Sequence, residues 1–413
     1  MKIVLVNVKF SANLGDGIIA ECLAHALKKR LPDIEVVNCD LAGRTEFGER
    51  SGMLRSLAVS VLPGTPVRLK KTVFAKLLEV MVRRKLLPGY ERAMESADVV
   101  LFGGGQILAD ADLNFPMKIA AAASVARNLD LPIALHSVGV GKDWSPEGAM
   151  LFKEAFVGSD LVWASARDTL SRQRWRRHFN GADIASLRLS LDPGLLGAIA
   201  YGPAEKSARP YRNRPLIGVG VTNPATLNLH NDGDDPSASA PDVNFYQKCA
   251  RTINQAEYDI LLFTNGAPDD EAYLRRCFPP SVLKDFDEDQ ISIAEPSKTP
   301  SELVATIREC DGIISHRLHA NIIAYAYRIP HVGLTTNRKL DEFFAIVGRK
   351  EFLFGQSGTK PEDIATAIKR ACETPISKIS HMATISRVEE DLDELASALS
   401  KIKTRDGRKV ALV

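Results

Sequence analysis

Lys2-Ile3-Val4-Leu5-Val6-Asn7-Val8 opens the chain as an almost unbroken apolar run. Asn13-Leu14-Gly15-Asp16-Gly17 follows as a glycine-containing turn, and a helical pattern then covers Asp16–Leu31. A strand without polar alternation is buried on both faces, so strand, turn and helix in this order predict the start of a parallel sheet. Further apolar runs lie at Glu35–Cys39, Asp98–Phe102, Pro132–Val138 and Leu161–Ser165, with helical patterns such as Pro116–Leu129 and Pro146–Val157 between them. The alternation stops over Gly202–Arg214, a proline- and arginine-containing stretch that reads as a linker. It resumes with strands at Pro215–Val221, Asp259–Phe263, Ile291–Ala294, Gly312–Ser315 and His331–Thr335. Helical patterns at Pro300–Cys310, Leu318–Arg328 and Lys339–Val347 fill that half, and the polar stretch Asn228–Pro241 reads as a surface loop. Beyond Lys360 only helical patterns remain, over Pro361–Glu373 and Ser377–Ile402.

This pattern predicts an α/β protein with two Rossmann-like domains, their parallel sheets facing across a cleft. The expected boundaries are 1–205 for the first domain and 206–359 for the second. Residues 360–413 form a helical extension packing back on both.

Composition narrows the function. The 413 residues are 45% hydrophobic and 25% charged with a net charge of +2, which suits a globular protein and not a coat for nucleic acid. The apolar runs fall short of the roughly 20 residues that cross a bilayer, and no signal peptide is apparent. Six scattered cysteines without a CxxC pair argue for reduced thiols in the cytoplasm and against a zinc site. The stretch Val67–Arg92 carries eight Lys/Arg against Glu79 and Glu91, with Phe74, Leu77, Leu78 and Met81 at helical spacing. It reads either as a weak contact with an anionic membrane or as a solvated helix on the first domain.

Four strand-end motifs can carry chemistry, because open parallel sheets bind ligands at the carboxyl ends of their strands. The Asn13–Gly17 turn offers helix amides to an anion, or is a tight turn capped by Asp16. Gly103-Gly104-Gly105 lets the backbone approach a ligand, with Asp110 and Asp112 close behind as candidate bases. Arg167 in Ser165-Ala166-Arg167-Asp168 is placed to grip an anion or to pair with its neighbour. Ser315-His316-Arg317-Leu318-His319-Ala320 brings two imidazoles and a guanidinium together where a strand meets a helix. No third ligand at recognisable spacing supports a metal there.

Taken in order, these residues resemble the polysaccharide pyruvyl transferases. The resemblance runs from Asn13 to about Phe344 through Asn13-x-Gly15-Asp16, Gly103-Gly104-Gly105 with Asp110, Gly139-Val140-Gly141, Ser165-x-Arg167-Asp168-x-x-Ser171 and Asp192-Pro193. It continues through Arg317-Leu318-His319-Ala320 and Pro330-x-x-Gly333-Leu334 to Lys339. Thr336-Asn337-Arg338-Lys339 departs from the Tyr-x-x-Lys that family members often carry, and His316 is not a family feature. The resemblance implies a glycosyltransferase-B-like arrangement and transfer of a carboxyethylidene group from phosphoenolpyruvate to two sugar hydroxyls, with phosphate released. It implies His319 as general acid and Asp110 as base. Arg317 and Arg167 serve as anion clamps, with Leu318, Asn13, Gly15, Asp16, Gly103, Gly104, Gly105 and Lys339 around the substrates. The scheme uses phosphoenolpyruvate as co-substrate and needs neither nucleotide nor metal. The expected partner is a lipid-linked saccharide acceptor at the inner face of the cell membrane. The alternatives are a glycosyltransferase using a nucleotide sugar and a non-catalytic saccharide- or anion-binding protein.

Overall fold

The computed structural model describes residues 1–49, 67–203, 213–229, 243–287, 289–335, 338–355 and 359–405, with 407 and 412. The expected linker lies outside them from 204 to 212, and the expected polar loop from 230 onward. The start of that loop is instead the end of a short helix, Pro224–Leu229.

Two six-stranded sheets, parallel throughout, carry the fold. The first contains β1 (Lys2–Asn7), β2 (Glu35–Asp40), β3 (Val99–Gly103), β4 (Ile133–Val138), β5 (Leu161–Ala166) and β6 (Arg188–Leu189) in the order β2-β1-β3-β4-β5-β6. The second contains β7 (Leu216–Gly220), β8 (Asp259–Phe263), β9 (Ile291–Ile293), β10 (Gly312–Ser315), β11 (His331–Thr335) and β12 (Leu353–Gly355), in the order β12-β11-β10-β7-β8-β9. Every residue of β3, β4, β7, β8 and β10 is buried, the physical reason for their unbroken apolar runs. Strand order reverses between β1 and β3 in one sheet and between β7 and β10 in the other. These are the switch points where connections leave toward opposite faces and open a crevice for a ligand.

By packing, the chain forms two compact units. One comprises Met1–Ser11, Ile19–Pro193 and Val388–Val413; the other comprises Ala12–Ile18 and Gly194–Arg387. The turn after β1 therefore folds with the second sheet. The extension expected as one block over 360–413 is divided as well. Tyr325 Oη meets Thr384 Oγ1 at 3.1 Å in the second unit, whereas Arg30 Nε meets Asp393 Oδ1 at 2.5 Å in the first.

The basic stretch is helical over Val67–Met81, widens into one π-turn at Val82–Leu86 and continues over Leu87–Met94. Leu78, Val82, Leu86, Tyr90 and Met94 are buried in the first unit's core, with Phe74 and Met81 packed beside them. The apolar stripe is thus consumed in the fold. Among its described large apolar side chains, Leu77 and Val80 stay exposed, next to the exposed Arg83, Arg84 and Lys85. Among the described residues no helix is long and apolar enough to cross a membrane. The six cysteines form no disulfide; five are buried and Cys372 is half-buried.

Candidate active site

At the carboxyl edge of the first sheet, three of the motifs converge. β3 runs into Gly103-Gly104-Gly105, where Gly104 takes φ +70° and a Cβ would lie 2.0 Å from Ile19 Cγ2. Only glycine fits there. Gly104 N–H donates to His136 O at 3.0 Å and Gly139 N–H to Gly105 O at 2.8 Å, tying this loop to the one after β4. Gly139 lies under Arg167, since a Cβ on it would come within 3.1 Å of Cζ. Arg167 is buried, its Nε donating to Asp168 Oδ2 at 3.0 Å and its Nη2 reaching Gln106 Oε1 at 3.5 Å. Asp168 Oδ1 caps the helix Thr169–His178 through Ser171 N–H at 2.6 Å, and Ser171 Oγ accepts Val140 N–H at 3.1 Å. Arg167 thus pairs with its neighbour Asp168 and stands at the glycine-lined strand ends.

Asp110 is held closely. Its Oδ1 accepts Leu113 N–H at 2.8 Å, and its Oδ2 accepts both the amide and the hydroxyl of Ser145 at 2.7 Å. These bonds pin a left-handed run, Ala111, Asp112 and Leu113, to the start of the helix Pro146–Phe156. Asp112 meets Lys71 at 2.9 Å.

In the second unit, β10 ends in Ser315-His316-Arg317 and the helix Leu318–Ala326 begins. Ser315 Oγ accepts Arg317 N–H at 3.0 Å, and Asn321 Nδ2 donates to the carbonyls of Ser315 and Arg317 at 3.1 and 2.9 Å. The turn is fixed by its own side chains. The Arg317 Nη2 pairs with the fully buried Asp270 Oδ2, while Asp270 Oδ1 accepts Asn223 N–H at 2.8 Å. Arg317 Nε is buried without an acceptor in the protein.

His319 is buried one residue into this helix, and Leu318 beside it is half-buried. Gly15 lies against the imidazole so closely that a Cβ would fall 2.4 Å from Nδ1. The same segment is anchored by Leu14 N–H on Asn265 O at 3.0 Å and by Leu14 Cδ1 where a Gly266 Cβ would point. Asn13 O accepts Asp16 N–H at 3.1 Å, closing the turn. The structure therefore brings the turn from Asn13 to Asp16, through Gly15, to His319. Lys339 stands half-buried in the first turn of the helix Arg338–Ile346, after β11. Thr336 and Asn337 lie outside the described residues.

His316 is buried beside Tyr246. Its Nδ1 meets Tyr246 Oη at 3.2 Å, and burial, with the Arg317 charge adding to it, pushes its pKa down to about 3. Asp270 went unread in the sequence because Asp269-Asp270-Glu271 looks like ordinary acidic residues in a helix's first turn. Among the described residues no group of three or more His, Cys, Asp or Glu side chains could hold a metal ion.

Two Rossmann-like units with glycine loops, arginines and a histidine at their strand ends define a glycosyltransferase-B-type α/β fold, and solved structures share it. A Listeria monocytogenes protein described as a UDP-N-acetylglucosamine 2-epimerase superposes with TM-score 0.55 at 12% identity, covering 100% of this chain and 99% of that one. The UDP-GlcNAc 2-epimerase of Methanocaldococcus jannaschii gives 0.52 at 13%, covering 92% and 93%. Anabaena HepE, solved with UDP, gives 0.51 at 11%, covering 97% and 100%. At these identities the likeness establishes the fold alone. No curated protein matches the sequence. The model of the polysaccharide pyruvyl transferase family matches residues 13–338, and the chain belongs to that family. It is thus a transferase of pyruvyl groups acting on a saccharide.

Proposed function

We propose that the protein moves a carboxyethylidene group from phosphoenolpyruvate to two hydroxyls of one sugar, forming a pyruvate ketal and releasing inorganic phosphate. His319 gives a proton to the methylene carbon of the enol, and the first sugar hydroxyl adds at the resulting cationic C2. The second hydroxyl then displaces phosphate, so each hydroxyl loses its proton and two C–O bonds form at C2. Histidine suits the first step because it exchanges protons near neutral pH. Arg317 holds the donor's carboxylate or phosphate. Asp110 takes a proton from the acceptor once a Ser145 bond is released. One observation carries the reading: Arg317 and His319, two residues apart, stand at the switch point beside β7, with Arg317 steered by Asp270 and His319 packed under Gly15.

The acceptor we favour is lipid-linked, in exopolysaccharide, capsule or cell-wall glycan synthesis, with the enzyme in the cytoplasm at the inner face of the membrane. The exposed Arg83, Arg84 and Lys85 support that placement. The test is mass spectrometry of candidate saccharides incubated with phosphoenolpyruvate and the enzyme. A carboxyethylidene adduct with matching phosphate release is expected. Phosphate release without acceptor modification, or adduct formation from nucleotide sugars instead, would overturn it.

A further inference from the structure

Beside Arg317 the second sheet carries polar side chains that the chemistry above leaves out. Gly220 on β7, Phe263 on β8 and Ser315 on β10 are partners in register. Two residues beyond them the three neighbouring strands reach Thr222, Asn265 and Arg317. Pairing persists into this edge, since Val221 N–H donates to Phe263 O at 2.8 Å. Thr222 is 0% and Asn265 1% exposed. Thr222 Oγ1, both polar atoms of the Asn265 carboxamide and Arg317 Nε find no hydrogen-bonding partner in the protein.

A buried polar group left unsatisfied carries its full desolvation cost, so four such atoms at one level of one strand edge call for a cause. The surrounding backbone is firmly tied. Thr222 N–H donates to Tyr246 Oη at 3.1 Å, Asn223 N–H to Asp270, and Asn265 O accepts from Leu14. Held backbone with unpartnered side-chain tips is what preorganised recognition requires, because donors fixed in advance reorganise little when the ligand arrives. β7 and β10 also flank the reversal of strand order, where such sheets take ligands.

We propose that Thr222 and Asn265 are ligand-reading residues of the second unit, donating Oγ1–H and Nδ2–H to oxygens of the anion that Arg317 holds. Naming that anion as phosphoenolpyruvate rests on the function proposed above. The donor set itself asks for a small oxyanion, phosphate or carboxylate.

The experiment compares the full-length wild type with Thr222→Val and Asn265→Asp by calorimetry, using phosphoenolpyruvate and inorganic phosphate as separate probes, alongside ligand-free melting. Valine keeps the threonine's size and removes its hydroxyl; aspartate keeps the amide's shape and replaces its donor with negative charge. A hydrogen bond to a charged group corresponds to about tenfold or more in affinity. Thr222→Val should therefore bind about tenfold more weakly without a lower melting temperature, and Asn265→Asp weaker still. If Asn265→Asp does not fold, Asn265→Ser replaces it. Wild-type binding of phosphate but not phosphoenolpyruvate, lost in the variants, keeps the shelf and overturns the donor. Equal phosphoenolpyruvate affinity in all three proteins overturns the shelf and keeps the donor, above all if Thr222→Val melts earlier, the mark of a hydroxyl bound to structural water. A wild type that binds neither probe overturns both.

Discussion

His316 and His319 lie three residues apart, and the fold gives them different neighbours. His316 is enclosed beside Tyr246 and stays neutral at physiological pH, whereas His319 opens the helix Leu318–Ala326 against Gly15. Under the proposed chemistry, His319→Ala should lower turnover by about 10²–10⁴, the usual worth of a positioned general acid, and leave phosphoenolpyruvate affinity nearly unchanged. Calorimetry with single-turnover kinetics checks the split; wild-type turnover in a folded variant removes His319 from the role. A second expectation concerns acid. Burial lowers His136 and His316 to about 3 and His331 to about 4, while in the unfolded chain a histidine titrates near 6.5. Between those values the unfolded state binds protons that the folded state refuses, so these groups stabilise the fold above about pH 6.5 and lose that contribution as pH falls toward 3–4. Urea titrations from pH 7.5 down to 4.5 should show stability falling, and His316→Gln should take about one proton out of the slope. An unchanged slope would mean that His316 is already protonated in the native protein.

At the scale of elements, the turn after β1 tolerates little change. Gly15→Ala puts a methyl 2.4 Å from His319 Nδ1, and since the turn is anchored on both sides of Gly15, either the turn or the imidazole must move. Overpacking of this kind costs about 1–3 kcal/mol. The variant should melt earlier and lose turnover more than donor affinity; native activity would show that the turn yields freely. Among its described side chains the helix bearing Arg83, Arg84 and Lys85 presents charge and the apolar Leu77 and Val80, because its main stripe is spent in the core. Under the proposed membrane placement its attraction to an anionic bilayer is electrostatic, about 1 kcal/mol for each cation near the surface and fading within about 8–10 Å at physiological salt. Replacing all three with Glu should abolish co-sedimentation with anionic liposomes at low salt and spare turnover on a water-soluble acceptor. Sedimentation like the wild type would mark an ordinary solvated face. The same scale explains what the sequence made legible. Ten strands were readable as apolar runs, most of them buried, whereas β6 and β12 are edge strands of two and three residues with no buried residue. The glycine and arginine motifs at strand ends were readable for the same reason. Asp270 was not, because it meets Arg317 across 47 residues, and Thr222 and Asn265 show their isolation only once neighbouring strands are aligned.

For the whole molecule, the consequential feature is that neither unit is one stretch of chain. The chain passes from one to the other after residues 11, 18, 193 and 387, and Ala12–Ile18 completes the second unit from within the sequence of the first. Loss of order in either should therefore undo the other, and the cysteines provide the readout. Cys22 and Cys39 belong to the first unit; Cys249, Cys277, Cys310 and Cys372 belong to the second. Burial raises Cys39 and Cys249 to about 12 and Cys372 to about 11. The nucleophile is the thiolate, so at pH 8 even Cys372 presents roughly a thousandth of its sulfur in reactive form. Pulses of iodoacetamide along a urea series should modify Cys372 first and slowly. The remaining five should then follow at one common midpoint, whereas separate midpoints for Cys22 with Cys39 and for Cys249 with Cys277 would reveal two independent transitions. Alkylation thus turns six inert thiols into a built-in record of which half of the protein opens, legible peptide by peptide without any introduced label.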